Sequence, residues 1–257
     1  MSGNYRLLNC LNEEVIYMNR IAYIVLRMFG KTIKYLCDIT KLAKDKYKDC
    51  EKMHQITKQG CYDVMKYGNI HMDVRGIENI PEKDGFVFYP NHQGMFDVLM
   101  FFASSPKAFA FVIKKEMQNV ILVKQIIRAT DSLCMDRKDI RQSVEIINTM
   151  TENIKNGKNY LIFAEGTRSK EGNKLLNFKG GSFKAAINAK CPIVPCALVD
   201  SYKVFDEKGT KMVDVCLQYL KPIMYEEYKD MKSADIAKLV KERIEEAISS
   251  YEKEKNK

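Results

Sequence analysis

From residue 70 onward, short apolar runs alternate with segments in which apolar residues recur at helical spacing. The apolar runs predict strands over Ile70–Val74, Gly85–Tyr89, Phe109–Ile113, Ser132–Met135, Tyr160–Phe163, Ile193–Val199 and Val213–Tyr219. The periodic segments predict helices over Met95–Ala103, Gln118–Ala129, Ile140–Asn156, Phe178–Asn188 and 233–253, the last with Ser233 as its N-cap. This alternation predicts an α/β fold, a largely parallel central sheet flanked by helices.

Length and charge bound the domain organisation and the partners. With 257 residues, 46% of them apolar, the chain has room for one α/β domain and a helical appendage. We expect an amphipathic two-helix motif for the membrane interface over residues 1–68 and the α/β domain over residues 69–257. Lys and Arg outnumber Asp and Glu by 42 to 33, and the net charge of +9 favours an anionic lipid surface, nucleic acid or a phosphorylated substrate.

The eight cysteines form no CxxC pair, and none of the three histidines lies close in sequence to a cysteine pair. We therefore expect no metal site, and reduced thiols in the cytoplasm. Cys134, Cys196 and Cys216 lie inside apolar runs, where a cysteine is most often a small buried hydrophobic residue. Residues 1–11 lack the basic start and the apolar stretch of a signal peptide.

Residues 13–37 carry an amphipathic helical pattern. One side is apolar, with Val15, Met18, Ala22, Val25, Phe29 and Leu36. The other side is basic, because Arg20, Arg27, Lys31 and Lys34 fall within roughly 60° of one another. Their charges argue against a transmembrane span, which needs about 20 mostly apolar residues. Two interpretations remain: a helix lying in the membrane surface with its basic side among headgroups, or a helix packed on its own domain with a solvated basic side.

His92 and Asp97 form a candidate catalytic pair. Residues 86–89 are apolar and Pro90 ends the run, so His92 follows the carboxyl end of a strand, where open α/β sheets place their sites. An imidazole accepts a hydroxyl proton near neutral pH, and a carboxylate on its other nitrogen fixes the tautomer and stabilises the imidazolium. The spacing is not the helical i, i+4 spacing, so a turn must join the two side chains. The simpler explanation is a surface histidine near an N-capping aspartate, and a single histidine and aspartate at this spacing would be mostly chance.

Groups suited to a phosphate follow two other predicted strands. Gly166 permits close backbone approach, Thr167 supplies a hydroxyl and Arg168 supplies a fork of donors. Arg137 follows another strand, although a surface ion pair is the commoner fate of any single arginine. Lys179 and the glycines after it suit an anion too, although a turn is the ordinary explanation there. G-x-G-x-x-G, P-loop and G-x-S-x-G motifs do not occur, which argues against dinucleotides, nucleoside triphosphates and a nucleophile elbow.

Together these segments resemble the glycerolipid acyltransferases, most closely the bacterial 1-acyl-sn-glycerol-3-phosphate acyltransferases. Asn91-His92 with Asp97 is similar to the first block of that family, and Met135-Asp136-Arg137 to the second. Residues 163–169, Phe-Ala-Glu-Gly-Thr-Arg-Ser, are similar to the third block, and residues 193–197, Ile-Val-Pro-Cys-Ala, to the fourth. The blocks come in the family's order, and the resemblance runs from about residue 70 to residue 220.

The resemblance implies a single-step transfer of a fatty acyl group to lysophosphatidic acid, forming phosphatidic acid in phospholipid biosynthesis. The donor is an acyl thioester, acyl-CoA or acyl carrier protein, and neither a metal nor another cofactor is implied. His92 is the general base and Asp97 orients it. The residues implied to hold the acceptor phosphate are Lys115, Arg137, Glu165, Gly166, Thr167 and Arg168. The enzyme is expected at the cytoplasmic face of the cell membrane, bound to anionic lipids as a peripheral or monotopic protein.

Two alternatives stay open. In the first alternative the protein is an acyltransferase with another acceptor, either glycerol-3-phosphate or another lysophospholipid. Each of these molecules also carries a phosphate near a hydroxyl. In the second alternative the chain is a non-catalytic protein that binds anionic lipid or nucleic acid through its positive charge. No recognised nucleic-acid motif occurs in the sequence, so we expect no nucleic-acid partner.

Overall fold

The computed structural model describes residues 19–44, 50–119, 121–136 and 139–256. The strands in these ranges are β1 (Ile70–Arg75), β2 (Val87–Pro90), β3 (Ala110–Lys114), β4 (Leu133–Met135), β5 (Tyr160–Leu161), β6 (Ile193–Val199) and β7 (Val213–Tyr219). The α-helices are α1 (Arg20–Arg27), α2 (Phe29–Lys44), α3 (Cys50–Tyr67), α4 (Asp97–Ser104), α5 (Ile121–Thr130), α6 (Ile140–Lys155), α7 (Lys184–Ala189), α8 (Tyr225–Tyr228) and α9 (Ser233–Lys255). Short 3₁₀ helices cover Ile77–Asn79, Lys115–Asn119, Gly180–Phe183 and Ser201–Val204.

All of these strands belong to one sheet, in the order β1-β7-β6-β2-β5-β3-β4. Neighbouring strands are parallel except β6 and β7, which are antiparallel. Every strand predicted from the sequence is present, and the predicted α/β fold with a largely parallel sheet is confirmed. Strands β2, β3, β4, β5 and β6 therefore end at the same edge of the sheet, called the site edge below. Strands β1 and β7 end at the opposite edge.

The core lies on both faces of the sheet. Val87 and Tyr89 of β2 pack in the layer that contains α6, α7 and α9, while Phe86 and Phe88 pack in the layer that contains α3, α4 and α5. These side chains alternate because successive residues of a strand point to opposite faces. A strand covered on both faces is apolar at every position. This double coverage explains the unbroken apolar run before Pro90.

The predicted helix starts at Phe178 and Ser233 differ from the structure in their local geometry. The helix predicted from Phe178 is still extended at Lys179, forms a 3₁₀ turn over residues 180–183 and becomes α-helical only at Lys184. At the start of α9, the N-cap is Lys232, and no side chain caps the helix. The predicted N-cap at Ser233 was therefore wrong, because Ser233 is already the first helical residue.

The first two helices pack antiparallel on α3 with basic side chains turned toward it. Arg20 is 3% exposed, and its Nη1 donates to the Gly68 carbonyl oxygen at 2.6 Å. Lys31 Nζ and Tyr35 Oη donate to the Asp63 carboxylate at 3.0 and 2.7 Å. Both interpretations from the sequence placed the basic side outward, and this was wrong for Arg20. A free carbonyl oxygen at the end of α3 and a carboxylate on its surface hold these cations.

Apolar side chains of α1 and α2 face outward instead. Leu26 is 69% exposed and Phe29 is 64% exposed. Other large apolar side chains exposed on these helices are Ile21, Val25 and Ile33. We call this set the exposed apolar face. Val15 and Met18, predicted to lie on the same side, fall outside the described residues. In the described parts of the chain, no helix has the length and apolar content needed to cross a bilayer.

Candidate active site

Asn91 fixes the chain where β2 ends. Pro90 has no N–H and cannot continue the strand pairing as a donor. The Asn91 side chain replaces a peptide group instead: its Nδ2 donates to the Leu198 carbonyl oxygen at 3.0 Å, and its Oδ1 accepts the Leu198 N–H at 2.8 Å. His92 is thereby held at the site edge, where the sequence predicted it.

His92 and Asp97 are in contact across a tight turn. Asp97 Oδ2 lies 2.7 Å from His92 Nδ1, so the predicted contact is confirmed. The same oxygen accepts the backbone N–H of Gln93 at 2.7 Å, and both carboxylate oxygens lie 3.1 Å from the Gly94 nitrogen. The turn is thus wrapped around the carboxylate, which is 0% exposed. This arrangement excludes the simpler explanation of a surface histidine near an N-capping aspartate.

The imidazole of His92 is held in one orientation. Phe163 stacks on it, with ring centroids 3.9 Å apart and ring planes 25° apart. Because a carboxylate can only accept, this contact assigns the hydrogen of a neutral His92 ring to Nδ1, and that tautomer leaves a lone pair on Nε2. The sequence marked Phe163 only as the end of a strand, so its stacking role was not predicted.

Ser201 holds the other oxygen of Asp97. Its Oγ donates to Asp97 Oδ1 at 2.6 Å, and the serine is fully buried. Gln93 Oε1 accepts the Ser201 N–H at 2.9 Å, and Gln93 Nε2 donates to Asn173 Oδ1 at 2.8 Å. Sequence reasoning missed Ser201, because this residue lies 104 positions from Asp97 and belongs to no recognised motif.

Glu165 and Ser169 hold the backbone of His92 from both sides. Glu165 Oε1 accepts the His92 N–H at 2.7 Å, and the Ser169 N–H donates to the His92 carbonyl oxygen at 2.8 Å. The second oxygen of Glu165 accepts the Leu176 N–H at 2.9 Å. Residues 166–168 therefore form a loop that is attached at both ends beside His92. We call it the glycine–arginine loop.

The residues predicted to hold phosphate in this loop and just before it differ in their burial and in their contacts. Glu165 is buried, and burial raises the pKa of its carboxyl group although backbone N–H donors oppose the shift. Both of its oxygens bind backbone groups, which gives it a positioning role, and its contact with phosphate stays a prediction. Gly166 adopts a left-handed φ of 74°. Thr167 and Arg168 are exposed, and Arg168 Nη1 forms a long ion pair with Asp206 at 3.9 Å.

Lys115 and Asp136 meet at the same edge of the sheet. Lys115 follows β3, Asp136 follows β4, and the Lys115 Nζ lies 3.8 Å from Asp136 Oδ2. In the sheet, β3 is the second neighbour of β2 and β4 is the third, and neighbouring strands are about 4.8 Å apart. Across the sheet, these residues therefore lie within about 15 Å of the end of β2. Arg137 lies outside the described residues, and its role stays a prediction.

Metal ligands are not grouped in the described ranges. No three His, Cys, Asp or Glu side chains there come together as a possible metal site. Cys196 and Cys216 are buried, as predicted, and Cys134 is half-buried. That the reaction needs no metal stays a prediction.

The histidine–aspartate pair and the glycine–arginine loop lie in the part of the chain that matches a known family of enzymes. Residues 71–199, about half of the chain, match the model of the family described as Acyltransferase. The chain belongs to this acyltransferase family.

Curated relatives carry a more specific name. The 1-acyl-sn-glycerol-3-phosphate acyltransferase of Saccharomyces cerevisiae is 28% identical over 199 residues, which cover 75% of this chain and 65% of the relative. The Helicobacter pylori protein of that name is 30% identical over 118 residues, 46% of this chain and 50% of the relative. A probable 1-acyl-sn-glycerol-3-phosphate acyltransferase of Mycoplasma genitalium is 30% identical over 185 residues, 66% of this chain and 68% of the relative. The matches to the first two relatives span only half to two thirds of their length.

A solved structure shares the fold. The crystal structure of the 1-acyl-sn-glycerophosphate (LPA) acyltransferase from Thermotoga maritima superposes with a TM-score of 0.75 and 20% sequence identity. The superposition covers 91% of this chain and 98% of the other. At this identity the likeness shows the shared fold, over nearly the whole of both chains.

Proposed function

We propose that the protein transfers a fatty acyl group from an acyl thioester to the free hydroxyl of 1-acyl-sn-glycerol-3-phosphate, forming phosphatidic acid. The observation that carries this proposal is the His92–Asp97 pair beside the glycine–arginine loop, in a chain of the acyltransferase family. The pair suits the activation of a hydroxyl, and the loop presents an arginine suited to a phosphate. The acceptor is inferred from the names of the relatives.

The chemistry follows from the ring nitrogens of His92. Nε2 takes the proton of the acceptor hydroxyl as its oxygen attacks the thioester carbonyl, while Asp97 stabilises the imidazolium through Nδ1. The tetrahedral intermediate collapses with cleavage of the carbon–sulfur bond. The imidazolium then returns its proton to the leaving thiolate. One ester forms, one thioester breaks and a thiol is released, so no nucleophile of the protein is needed for an acyl group that is already activated.

The donor is acyl-CoA or acyl carrier protein, and both carry the thioester that this mechanism requires. The closest competing function keeps the mechanism and changes the acceptor to glycerol-3-phosphate or another lysophospholipid. A panel of these acceptors, each offered with the same acyl thioester, separates the two. A higher kcat/KM for glycerol-3-phosphate than for lysophosphatidic acid would overturn the proposed acceptor.

The first experiment compares two histidine variants by mass spectrometry of the product. His92→Ala removes the base and lowers the rate of phosphatidic acid formation by about 10²–10⁴-fold, the usual contribution of a general base. His71→Ala is the matched control, since the exposed His71 also contacts an aspartate, with its Nδ1 3.0 Å from Asp214 Oδ1. The control keeps the wild-type rate. A loss of less than about tenfold in the His92 variant would rule out its role as base.

The exposed apolar face extends the proposal to the membrane. Lysophosphatidic acid is a membrane lipid, and an apolar helix face in the interface brings an enzyme to its substrate. Because Arg20 and Lys31 bind α3, the contact with the membrane rests on apolar side chains more than on the basic stripe. Attachment to anionic lipids at the cytoplasmic face stays part of the proposal.

Vesicle sedimentation tests the membrane contact. The double substitution Leu26→Ser with Phe29→Ser lowers binding at least about tenfold, since burying one such side chain is worth about 1.5–3 kcal/mol. Ile77→Ser with Met224→Ser is the control, because these residues are also exposed but lie at the edge of the sheet opposite the site. Equal binding of both double variants to phosphatidylcholine–phosphatidylglycerol vesicles would contradict the proposal.

A further inference from the structure

The Lys179 side chain lies across Gly166 in the glycine–arginine loop. A Cβ atom added to Gly166 would lie 3.5 Å from Lys179 Cδ, 3.3 Å from Cε and 2.9 Å from Nζ. The lysine stem therefore follows the surface of the glycine along its last three atoms. The two backbones are joined beside this contact, because the Lys179 N–H donates to the Ala164 carbonyl oxygen at 2.9 Å.

The ammonium group of Lys179 has no counter-charge among the residues that the structure describes. Within the ranges that the structure describes, no hydrogen bond or ion pair joins its Nζ to another residue. The neighbouring carboxylate of Glu165 is engaged by the backbone N–H groups of His92 and Leu176. The cation of the loop itself, Arg168, forms a long ion pair with Asp206 at 3.9 Å.

We infer that Lys179, together with Arg168, receives the phosphate of the acceptor, and that residue 166 is a glycine partly to leave room for the lysine stem. Lys179 lies against Gly166 of the loop that carries Arg168, whose ion pair with Asp206 is long, so an anion bound at this loop is attracted by both positive charges. A lysine and an arginine give a point charge and a fork of donors, which suit a phosphate in different ways. This inference rests on the proposed function, because it assigns a residue to the acceptor of that reaction.

Gly166 and Lys179 are predicted to act as a unit. The left-handed φ of Gly166 already favours glycine, and a side chain there would also push the ammonium group away. Substitution of either residue therefore disturbs the same phosphate contact. Their effects on acceptor binding are not additive, as is usual for residues in direct contact.

Steady-state kinetics with lysophosphatidic acid test the inference. Lys179→Met keeps the length of the stem and raises KM about ten- to hundredfold, the usual range for a lost hydrogen bond to a charged group, with kcat changed less than about threefold. Lys221→Met is the control, since Lys221 is exposed near the opposite edge of the sheet, and it leaves KM unchanged. In a protein that already carries Gly166→Ala, adding Lys179→Met changes KM by less than about threefold, because the alanine side chain has already pushed the ammonium group away. An unchanged KM for K179M, or a loss in kcat alone, overturns the inference.

A binding measurement separates this inference from the proposed reaction. Lysophosphatidic acid in detergent micelles is titrated into the His92→Ala protein with and without Lys179→Met or Lys179→Gln. Weaker binding of about tenfold or more in both lysine variants supports the phosphate contact even if the wild-type protein transfers no acyl group. Equal affinity in all three proteins overturns the contact whatever the transferase activity. Absence of transfer by the wild-type protein overturns the proposed reaction instead.

Discussion

Replacing Asp97 with asparagine separates the charge of this residue from its geometry. Three N–H donors surround Oδ2, those of His92 Nδ1, Gln93 and Gly94, so the amide oxygen must take that position. The amide nitrogen then replaces Oδ1 and donates to Ser201 Oγ, 2.6 Å away, while the Gly94 N–H, which lies 3.1 Å from both oxygens in the wild type, keeps the oxygen at the Oδ2 position as its acceptor. The Ser201 hydroxyl is free to turn to Gln93 Oε1 at 2.8 Å. The variant therefore keeps Nδ1 of the histidine protonated, as in the wild type.

The expected loss in rate is the lost attraction between the carboxylate and the imidazolium. Charge centres joined by a hydrogen bond of 2.7 Å between His92 and Asp97 lie about 4 Å apart, and two unit charges at that distance attract by about 4 kcal/mol at an effective dielectric constant of about 20. Each 1.36 kcal/mol corresponds to about tenfold in rate, so kcat falls about 10³-fold. KM changes less than about threefold, because the imidazolium forms only as the reaction proceeds.

The assay measures kcat and KM for phosphatidic acid formation, with thermal unfolding as a check on the fold. Asp214→Asn is the matched control, since Asp214 contacts His71 at 3.0 Å on an exposed surface and the substitution leaves kcat unchanged. A loss below about tenfold for Asp97→Asn would refute the electrostatic role. A loss above about 10⁵-fold with an intact fold would refute the reasoning about the tautomer, because more than charge would then have been lost.

Three further outcomes are expected from the surroundings of the site and from the first helices. Ser201→Ala removes a buried donor to a carboxylate and lowers kcat about tenfold with little change in KM, measured by steady-state kinetics. Glu165→Gln sets an amide NH₂ against a backbone N–H and lowers the free energy of unfolding by about 1–3 kcal/mol, measured by urea denaturation; an unchanged midpoint contradicts this. Burial alone raises the pKa of Asp63, but hydrogen bonds from Tyr35 and Lys31 outweigh it, and the net shift is downward. A carboxyl group with a lowered pKa contributes stability above its unfolded pKa of about 4 and loses it as the pH falls through the folded pKa. Amide hydrogen exchange in α2, corrected for the intrinsic exchange rate, therefore becomes faster as the pH falls below about 4. In Asp63→Asn this pH dependence of the corrected exchange rate is lost.

The fold class and the edge that carries the site were determined by the sequence itself. Apolar runs such as 86–89 and 193–199 are continuous because both faces of the sheet are covered, and this coverage is visible as local composition. Pro90 marks the end of a strand for a reason internal to the residue, its missing N–H. Because the strands that end at the site edge are parallel neighbours, residues just after their ends meet, and the positions of His92 and Glu165 follow from that rule.

The tertiary structure alone decided which groups surround the pair and how the first helices face. Ser201 and Phe163 reach the pair through contacts between segments far apart in the chain, and local periodicity carries no information about such pairings. A helical pattern shows that α1 and α2 have a basic side and an apolar side, but not which side packs inward. The basic side packs inward because the carbonyl oxygen of Gly68, just after α3, and the carboxylate of Asp63 in α3 attract the cations. The apolar side chains therefore face outward.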